Sequence, residues 1–146
     1  MQAETQIPGR FASPVIERLT AAAGFVSITG GTALVALVDP TTHGFFPVCP
    51  LYVMTGFACP GCGLTRGFHA LFHGDIRAAL GFNALLPVWA AILLWVWASL
   101  FVFSVRGKGL PMWPTKTKFL WTFMIFLLVF GVLRNIPAYP FSVLFP

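Results

Sequence analysis

All three cysteines of the chain fall in one short stretch, as Cys49, Cys59 and Cys62. The most specific local signal is Cys59-Pro60-Gly61-Cys62-Gly63. Pro followed by Gly at the centre of a tight turn favours type II geometry, and Gly63 can take a left-handed conformation just after it. Such a turn draws the Cys59 and Cys62 sulfurs together, as knuckles that present paired thiolates to zinc or iron do. A four-coordinate zinc site needs two further donors. Cys49 offers one. His69 or His73, one and two helical turns beyond the motif, offers the other.

Two other chemistries fit the same residues. One is a structural or redox-active disulfide in an oxidising compartment, with the odd cysteine left for a partner. Cys62 at a helix N-terminus would then have a lowered pKa. The other is simple packing, with thiols as small hydrophobes and Pro-Gly making only a turn. The remaining polar residues carry readings of their own. Arg66 and Asp75 could pair and pin a short helix. Asn83 caps the helix that follows it or binds a group in an outer cavity. Arg134-Asn135 anchors to lipid headgroups or closes onto the cysteine segment. The chain holds only Glu4, Glu17, Asp39 and Asp75 as acids and has no Ser-His-Asp set or phosphate loop. This weighs against an enzyme.

The elements that position these residues are apolar. Hydrophobic residues make up 58% of the chain and charged residues 9%, against about 25% charged in a soluble domain. Too little polar surface remains to cover a water-soluble body, so the predicted solvent is lipid. Ala21 to Val38, Ala84 to Val105 and Phe119 to Leu133 are free of charge. A bilayer core of about 30 Å takes roughly 20 helical residues. The first two stretches reach that length. The third is shorter, with Lys118 and Arg134 placed to snorkel from its ends. A cleaved signal peptide would also place an apolar run after Arg10 and Arg18, but Ala33 to Val38 followed by Asp39-Pro40 lacks a small-x-small cleavage pattern.

The expected fold is an all-α membrane protein with three transmembrane helices and a short amphipathic interfacial or re-entrant helix. Residues 1–20 form a polar lead, with an interfacial helix expected over Pro14 to Thr20, and 21–38 the first span. Residues 39–82 hold the cysteine segment, read as an ordered loop over 41–63 and a helix over Leu64 to Leu80. That helix has Leu64, Phe68, Leu71 and Phe72 on one face, Arg66, His69 and His73 on the other, and a break at Gly74-Asp75. Residues 84–105 form span 2, 106–118 a basic loop, 117–136 span 3, and 137–146 a non-helical tail. Trp95 and Trp97 fall mid-span, where helix packing explains them better than a lipid, quinone or pigment site. The basic residues flank the spans without a stripe of interleaved aromatics, so nucleic acid is not an expected partner. The 106–118 loop carries four Lys/Arg and no acid. The positive-inside rule puts it and the N-terminus in the cytoplasm, with the cysteine segment and tail outside.

Several motifs also agree in order with a known family. The run Cys49-Pro50, Thr55-Gly56, Cys59-Pro60-Gly61-Cys62-Gly63-Leu64-Thr65-Arg66, His73-Gly74-Asp75 and Ala79 to Asn83 resembles the bacterial membrane family named domain of unknown function 2752, over about residues 45–140. Arg134-Asn135-Ile136-Pro137 resembles that family's ending. Family members usually have Pro directly after the asparagine, whereas Ala84 follows Asn83 here and Pro comes at 87. The resemblance implies a small multi-pass protein of the bacterial inner membrane and a shared role for Cys49, Cys59, Cys62, Arg66, Asp75 and Asn83. It implies no activity. The functional expectation is a non-catalytic accessory or assembly subunit of a larger membrane complex, in contact with lipid and other membrane subunits. The alternative is an extracytoplasmic metal-binding protein, zinc first among the metals, or a thiol-redox protein.

Overall fold

The computed structural model of the protein describes residues 14–42, 44, 46–110 and 117–145. The first thirteen residues of the polar lead, with Arg10, and the 111–116 part of the basic loop lie outside them. Among the described residues the chain is all helical. Six α-helices run α1 (Pro14–Leu37), α2 (Pro50–Thr55), α3 (Leu64–Phe72), α4 (Ile76–Phe82), α5 (Leu86–Arg106) and α6 (Thr117–Leu133), followed by a 3-10 turn at Phe141–Leu144.

The apolar stretches form the long helices. α1 and α5 are long and apolar enough to cross a membrane. α6, at 17 residues, is about 25 Å long at 1.5 Å per residue, short of a full bilayer core. α1 begins at Pro14, so the expected interfacial piece over Pro14 to Thr20 continues into the apolar stretch as one helix. Pro14 costs that helix no hydrogen bond, because the first-turn N–H groups have no intrahelical acceptor. At its far end, Asp39 accepts from the Thr41 N–H and hydroxyl (2.8 and 2.7 Å) and turns the chain out of the helix.

α1 and α5 pack side by side. Phe25 sits 5.0 Å from the Trp97 ring and 5.3 Å from the Phe101 ring. Trp97 Nε1 donates to Thr29 Oγ1 at 2.9 Å, a polar tie between the two helices beside the ring contacts. Trp97 is thus a packing residue, while Trp95 is 39% exposed. The pair is antiparallel: Arg18 near the start of α1 lies against Gly107 just past α5.

Between these helices the chain departs from the expected loop over 41–63. Pro50 at the first helical turn and left-handed Gly56 (φ 74°) at the end enclose the short helix α2. The expected amphipathic helix is broken at Gly74 (φ 81°) and Asp75, as its sequence implies, and α4 runs on to Phe82. α3 and α4 fold as a hairpin because Gly67 meets Ala79 with no side chain between them. A Cβ there would lie 3.2 Å from the Ala79 carbonyl oxygen. The tail is not wholly irregular either, since it ends in the 3-10 turn.

Burial is inverted relative to a soluble protein. The side chains under 2% exposed with the largest volumes are Arg134, Leu86 and Asn83, two of them polar. Trp121 and Leu128 of α6 are more than half exposed. A helix apolar around its exposed surface needs a non-aqueous covering. Two polar side chains, Asn83 and Arg134, are instead buried beside the cysteines.

Candidate metal site

The cysteine knuckle is closed by its own backbone. The Cys62 N–H donates to the Cys59 carbonyl at 3.0 Å, and the Leu64 N–H to the Gly61 carbonyl at 3.2 Å. Gly61 is not among the glycines with positive φ, so the expected type II turn does not form. The left-handed residue is Gly63 (φ 83°), whose carbonyl accepts from the Gly67 N–H and starts α3. Pro60 suits the second position of a type I turn equally well. The chain therefore turns over Pro60-Gly61 without a left-handed glycine and takes the left-handed conformation at Gly63 instead.

Three sulfurs converge on this knuckle. Cys59 Sγ lies 3.4 Å from Cys49 Sγ and 3.3 Å from Cys62 Sγ, and all three are within 4.8 Å of one another. A disulfide would require about 2.05 Å, so these are free thiols. Thiolates around a tetrahedral zinc ion, with Zn–S bonds of about 2.3 Å, stand roughly 3.8 Å apart. The observed spacing brackets that value. Cys49 reaches the group from the N-terminal end of α2, so the unexpected helix is what delivers the third sulfur.

Three polar side chains from distant parts of the chain hold the knuckle. Asn83, fully buried between α4 and α5, donates from Nδ2 to the Pro60 and Cys62 carbonyls (2.9 and 3.0 Å) and accepts from the Leu85 N–H (2.8 Å). It thus turns the chain into α5, whose N-cap is Leu85, and ties that turn to the cysteines. Asn135 accepts from the Ala58 N–H at 2.8 Å and donates to the Ala58 carbonyl at 2.9 Å. Arg134, also fully buried, donates from Nη1 to the Cys59 and Cys62 carbonyls (2.8 and 3.3 Å). Of the two roles the sequence allows for Arg134-Asn135, the structure realises closure onto the cysteine segment.

Arg134 is the least expected electrostatic feature. Its Nε and Nη2 are buried with no partner among the described residues. Its guanidinium carbon lies 5.3 Å from the centre of the Phe130 ring, whose face favours a cation. A buried cation without a carboxylate is costly. Negative charge on the sulfurs would offset that cost.

The other residues singled out by sequence are placed differently. Asp75 accepts from the Ala78 N–H at 2.9 Å as the N-cap of α4. The Arg66 guanidinium lies over the Phe82 ring, 5.3 Å from its centre. The expected Arg66–Asp75 ion pair is replaced by these two contacts, because capping uses the carboxylate where the chain re-enters a helix. His69 and His73 stack at 4.3 Å. His69 Nδ1 lies 2.8 Å from the Val35 carbonyl of α1, and His73 Nδ1 2.9 Å from the His69 carbonyl. The left-handed start of α3 turns both histidines toward α1 or along their own helix, so they do not join the sulfur group. No motif marked Ala58, whose part in the site comes from Asn135, 77 residues along the chain.

The thiols differ in acidity. Hydrogen bonding from the Tyr52 backbone N–H, followed by that from the Cys59 thiol, lowers the Cys49 pKa to about 7. Burial, reinforced by its bonds to the Cys59 and Cys49 thiols, pushes Cys62 up to about 12. The thiolate is the form that alkylates. In metal-free protein, Cys49 alkylation by iodoacetamide should therefore be half-maximal near pH 7 and fall about tenfold per pH unit below it, with Cys62 hardly modified at pH 8. Peptide mass spectrometry reads both. Faster labelling of Cys62, or a Cys49 midpoint near 9, would show that the hydrogen bonding described here does not control the site.

Comparison with known proteins adds one relation. Residues 49–97 match the family model described as Protein of unknown function (DUF2752). That span begins at the first cysteine, takes in the knuckle, α3, α4 and Asn83, and ends within α5, so the 134–137 ending lies beyond it. No curated protein and no solved structure matches the chain. Through this segment, which carries all three cysteines of the cluster, the chain is similar to the DUF2752 family of proteins of unknown function.

Proposed function

We propose that the protein is a three-span membrane protein whose Cys49, Cys59 and Cys62 hold a thiophilic divalent metal ion, zinc first. The observation that carries this reading is the convergence of all three sulfurs on a knuckle gripped by Asn83, Arg134 and Asn135. Three thiolates favour soft and borderline ions over magnesium or calcium. They give a divalent ion a net charge of −1, which one buried guanidinium balances. Free thiols packed as hydrophobes would leave Arg134 only two carbonyls and the Phe130 ring to offset its charge. The test is metal content by mass spectrometry, with a thiol count, on intact detergent-solubilised protein. One equivalent of metal and three thiols that react only after chelation are expected. Three freely reactive thiols without metal, or a single thiol with the other two in a disulfide, would sink the reading.

In the proposed arrangement α1, α5 and α6 cross the bacterial inner membrane, and the metal faces outward. Two pairings support this: Arg18 with Gly107 at one end of the helices, and Arg134-Asn135 with the knuckle at the other. The basic 106–118 loop puts the first end in the cytoplasm. An impermeant maleimide applied to intact cells should then label Thr41→Cys and leave Thr115→Cys unlabelled until lysis. The reverse pattern would invert the topology. The apolar exterior of α6 suits contact with another membrane subunit as well as lipid. An accessory or assembly role in a larger complex is therefore compatible with the metal reading, and protein co-purifying with mild-detergent extracts is its test.

A further inference from the structure

At the end of α1 and α5 away from the cysteines, three basic residues meet around one glycine. α5 closes at Gly107, which is left-handed (φ 68°) and whose N–H donates to the Phe103 carbonyl at 2.8 Å. The Arg18 guanidinium of α1 is laid against that glycine. A Cβ on Gly107 would stand 2.5 Å from Arg18 Nη2 and 2.8 Å from its Nε. Arg106 and Lys108 flank Gly107 in the chain, and Arg18, Arg106 and Lys108 are all exposed. Beyond Lys108 the chain doubles back. A Cβ on Gly109 would stand 3.2 Å from Ser99 Oγ and 3.4 Å from Phe103 Cδ2, so the loop starts along the flank of α5 and not away from it. Ser99 belongs to the charge-free stretch and lies roughly 10 Å before Arg106 along the helix axis.

Resting on the proposed membrane arrangement, and independent of the metal, we infer that Arg18, Arg106 and Lys108 form a site for the phosphate of an anionic membrane lipid. Charge carries the argument. Glu17, next to Arg18 in α1, brings one negative charge, and the carbonyl end of α5 is worth about half of one. The dipole explains why one guanidinium rests there, yet three cations leave more than one positive charge over. Residues 1–20 and 106–118 together carry six Arg/Lys against Glu4 and Glu17, so the surplus does not depend on which pairs form. A guanidinium presents two parallel N–H donors that match phosphate oxygens. Each further basic residue near a lipid surface adds about fivefold in affinity. A zwitterionic lipid has the same phosphate with its own ammonium to balance it, so the surplus selects the anionic class. The fold of the loop favours a lipid's phosphate over a soluble one. By doubling back beside Ser99 and Phe103, it keeps the basic residues at the level where headgroups meet the apolar stretch of α5.

The test uses the full chain in a neutral detergent with dioleoylphosphatidylglycerol or dioleoylphosphatidylcholine added, and reads lipid adducts by native mass spectrometry. Saturable binding of phosphatidylglycerol, tighter than phosphatidylcholine by about tenfold or more, is expected. Arg18→Gln should weaken it about tenfold. Arg77→Gln, which removes an exposed charge from α4, should leave it unchanged. Gly107→Ala keeps every charge but puts a methyl where the guanidinium lies, and should weaken binding severalfold while the protein elutes as the wild type on gel filtration. Inorganic phosphate at millimolar concentration should not displace the lipid. Displacement would assign the site to a free anion and overturn the lipid as its ligand. Equal affinity for the two lipids, or equal losses in Arg18→Gln and Arg77→Gln, would overturn the inference and leave the membrane arrangement standing. Release of the wild-type protein from membranes by alkaline carbonate would overturn the arrangement itself.

Discussion

Arg134→Met is expected to lower metal affinity by roughly 100-fold while leaving the metal-free protein as stable as the wild type or more so. The first half follows from charge. One elementary charge about 6 Å from another in an effective dielectric of about 20 is worth close to 3 kcal/mol. Taking the guanidinium away removes that attraction from a centre of net charge −1. It also raises the proton affinity of the thiols, so metal loading should shift to higher pH. The second half follows from burial. With no metal or thiolate present, Arg134 is a fully buried cation with two unpartnered nitrogens, and replacing such a group by an apolar side chain of similar length is often neutral or stabilising. Loss of the Nη1 bonds to the Cys59 and Cys62 carbonyls works against this by about 1–3 kcal/mol. Competition against a zinc chelator, with thermal unfolding in the presence and absence of metal, separates the two effects. Wild-type affinity in Arg134→Met would remove the guanidinium from the site's electrostatics, and with it the argument for anionic sulfurs.

The Cys59→Ser/Cys62→Ser double variant is expected to lose the metal entirely, since only one of three donors remains. Insertion of the helices should survive, because it depends on apolar length and not on the outer segment. The segment between Phe46 and Phe82 should become cleavable by added protease at about ten times the wild-type rate or more. The physical reason is that α2 carries no buried residue of its own. In the proposed site, Cys49 is the link from α2 to the knuckle through the metal. The knuckle itself is held separately by Asn83, Arg134 and Asn135, so cleavage should begin on the α2 side of it. The same preparation tests the accessory role, which expects partner association to weaken as the outer segment loosens. If the variant kept metal, protease resistance and partners alike, the cysteines would be packing residues.

Much of the architecture was written in composition and spacing. Charge-free stretches ending at Asp39-Pro40 and Arg106 became α1 and α5, because a run of apolar residues leaves its backbone no better partner than itself. Gly74-Asp75 broke the amphipathic helix where expected, since both residues favour a cap over a helix interior. The pairing of Cys59 with Cys62 was equally local, needing only two intervening residues that turn. The rest of the site depended on contacts across many residues of chain. Whether Cys49 joins the pair is decided by α2, a helix of six residues bounded by Pro50 at its start and left-handed Gly56 at its end, too short for its periodicity to mark it in the sequence. The histidines had suitable chemistry and spacing, yet the orientation of α3 against α1 spends His69 on the Val35 carbonyl. Arg134, 72 residues from Cys62, resembled a snorkelling end of a span. Only the closure of α6 onto the knuckle makes it a buried charge. Local sequence can specify turns, caps and apolar length because each depends on neighbours a few residues away. The electrostatic balance of the site depends on which distant groups share one desolvated space, and that is a property of the packed fold alone.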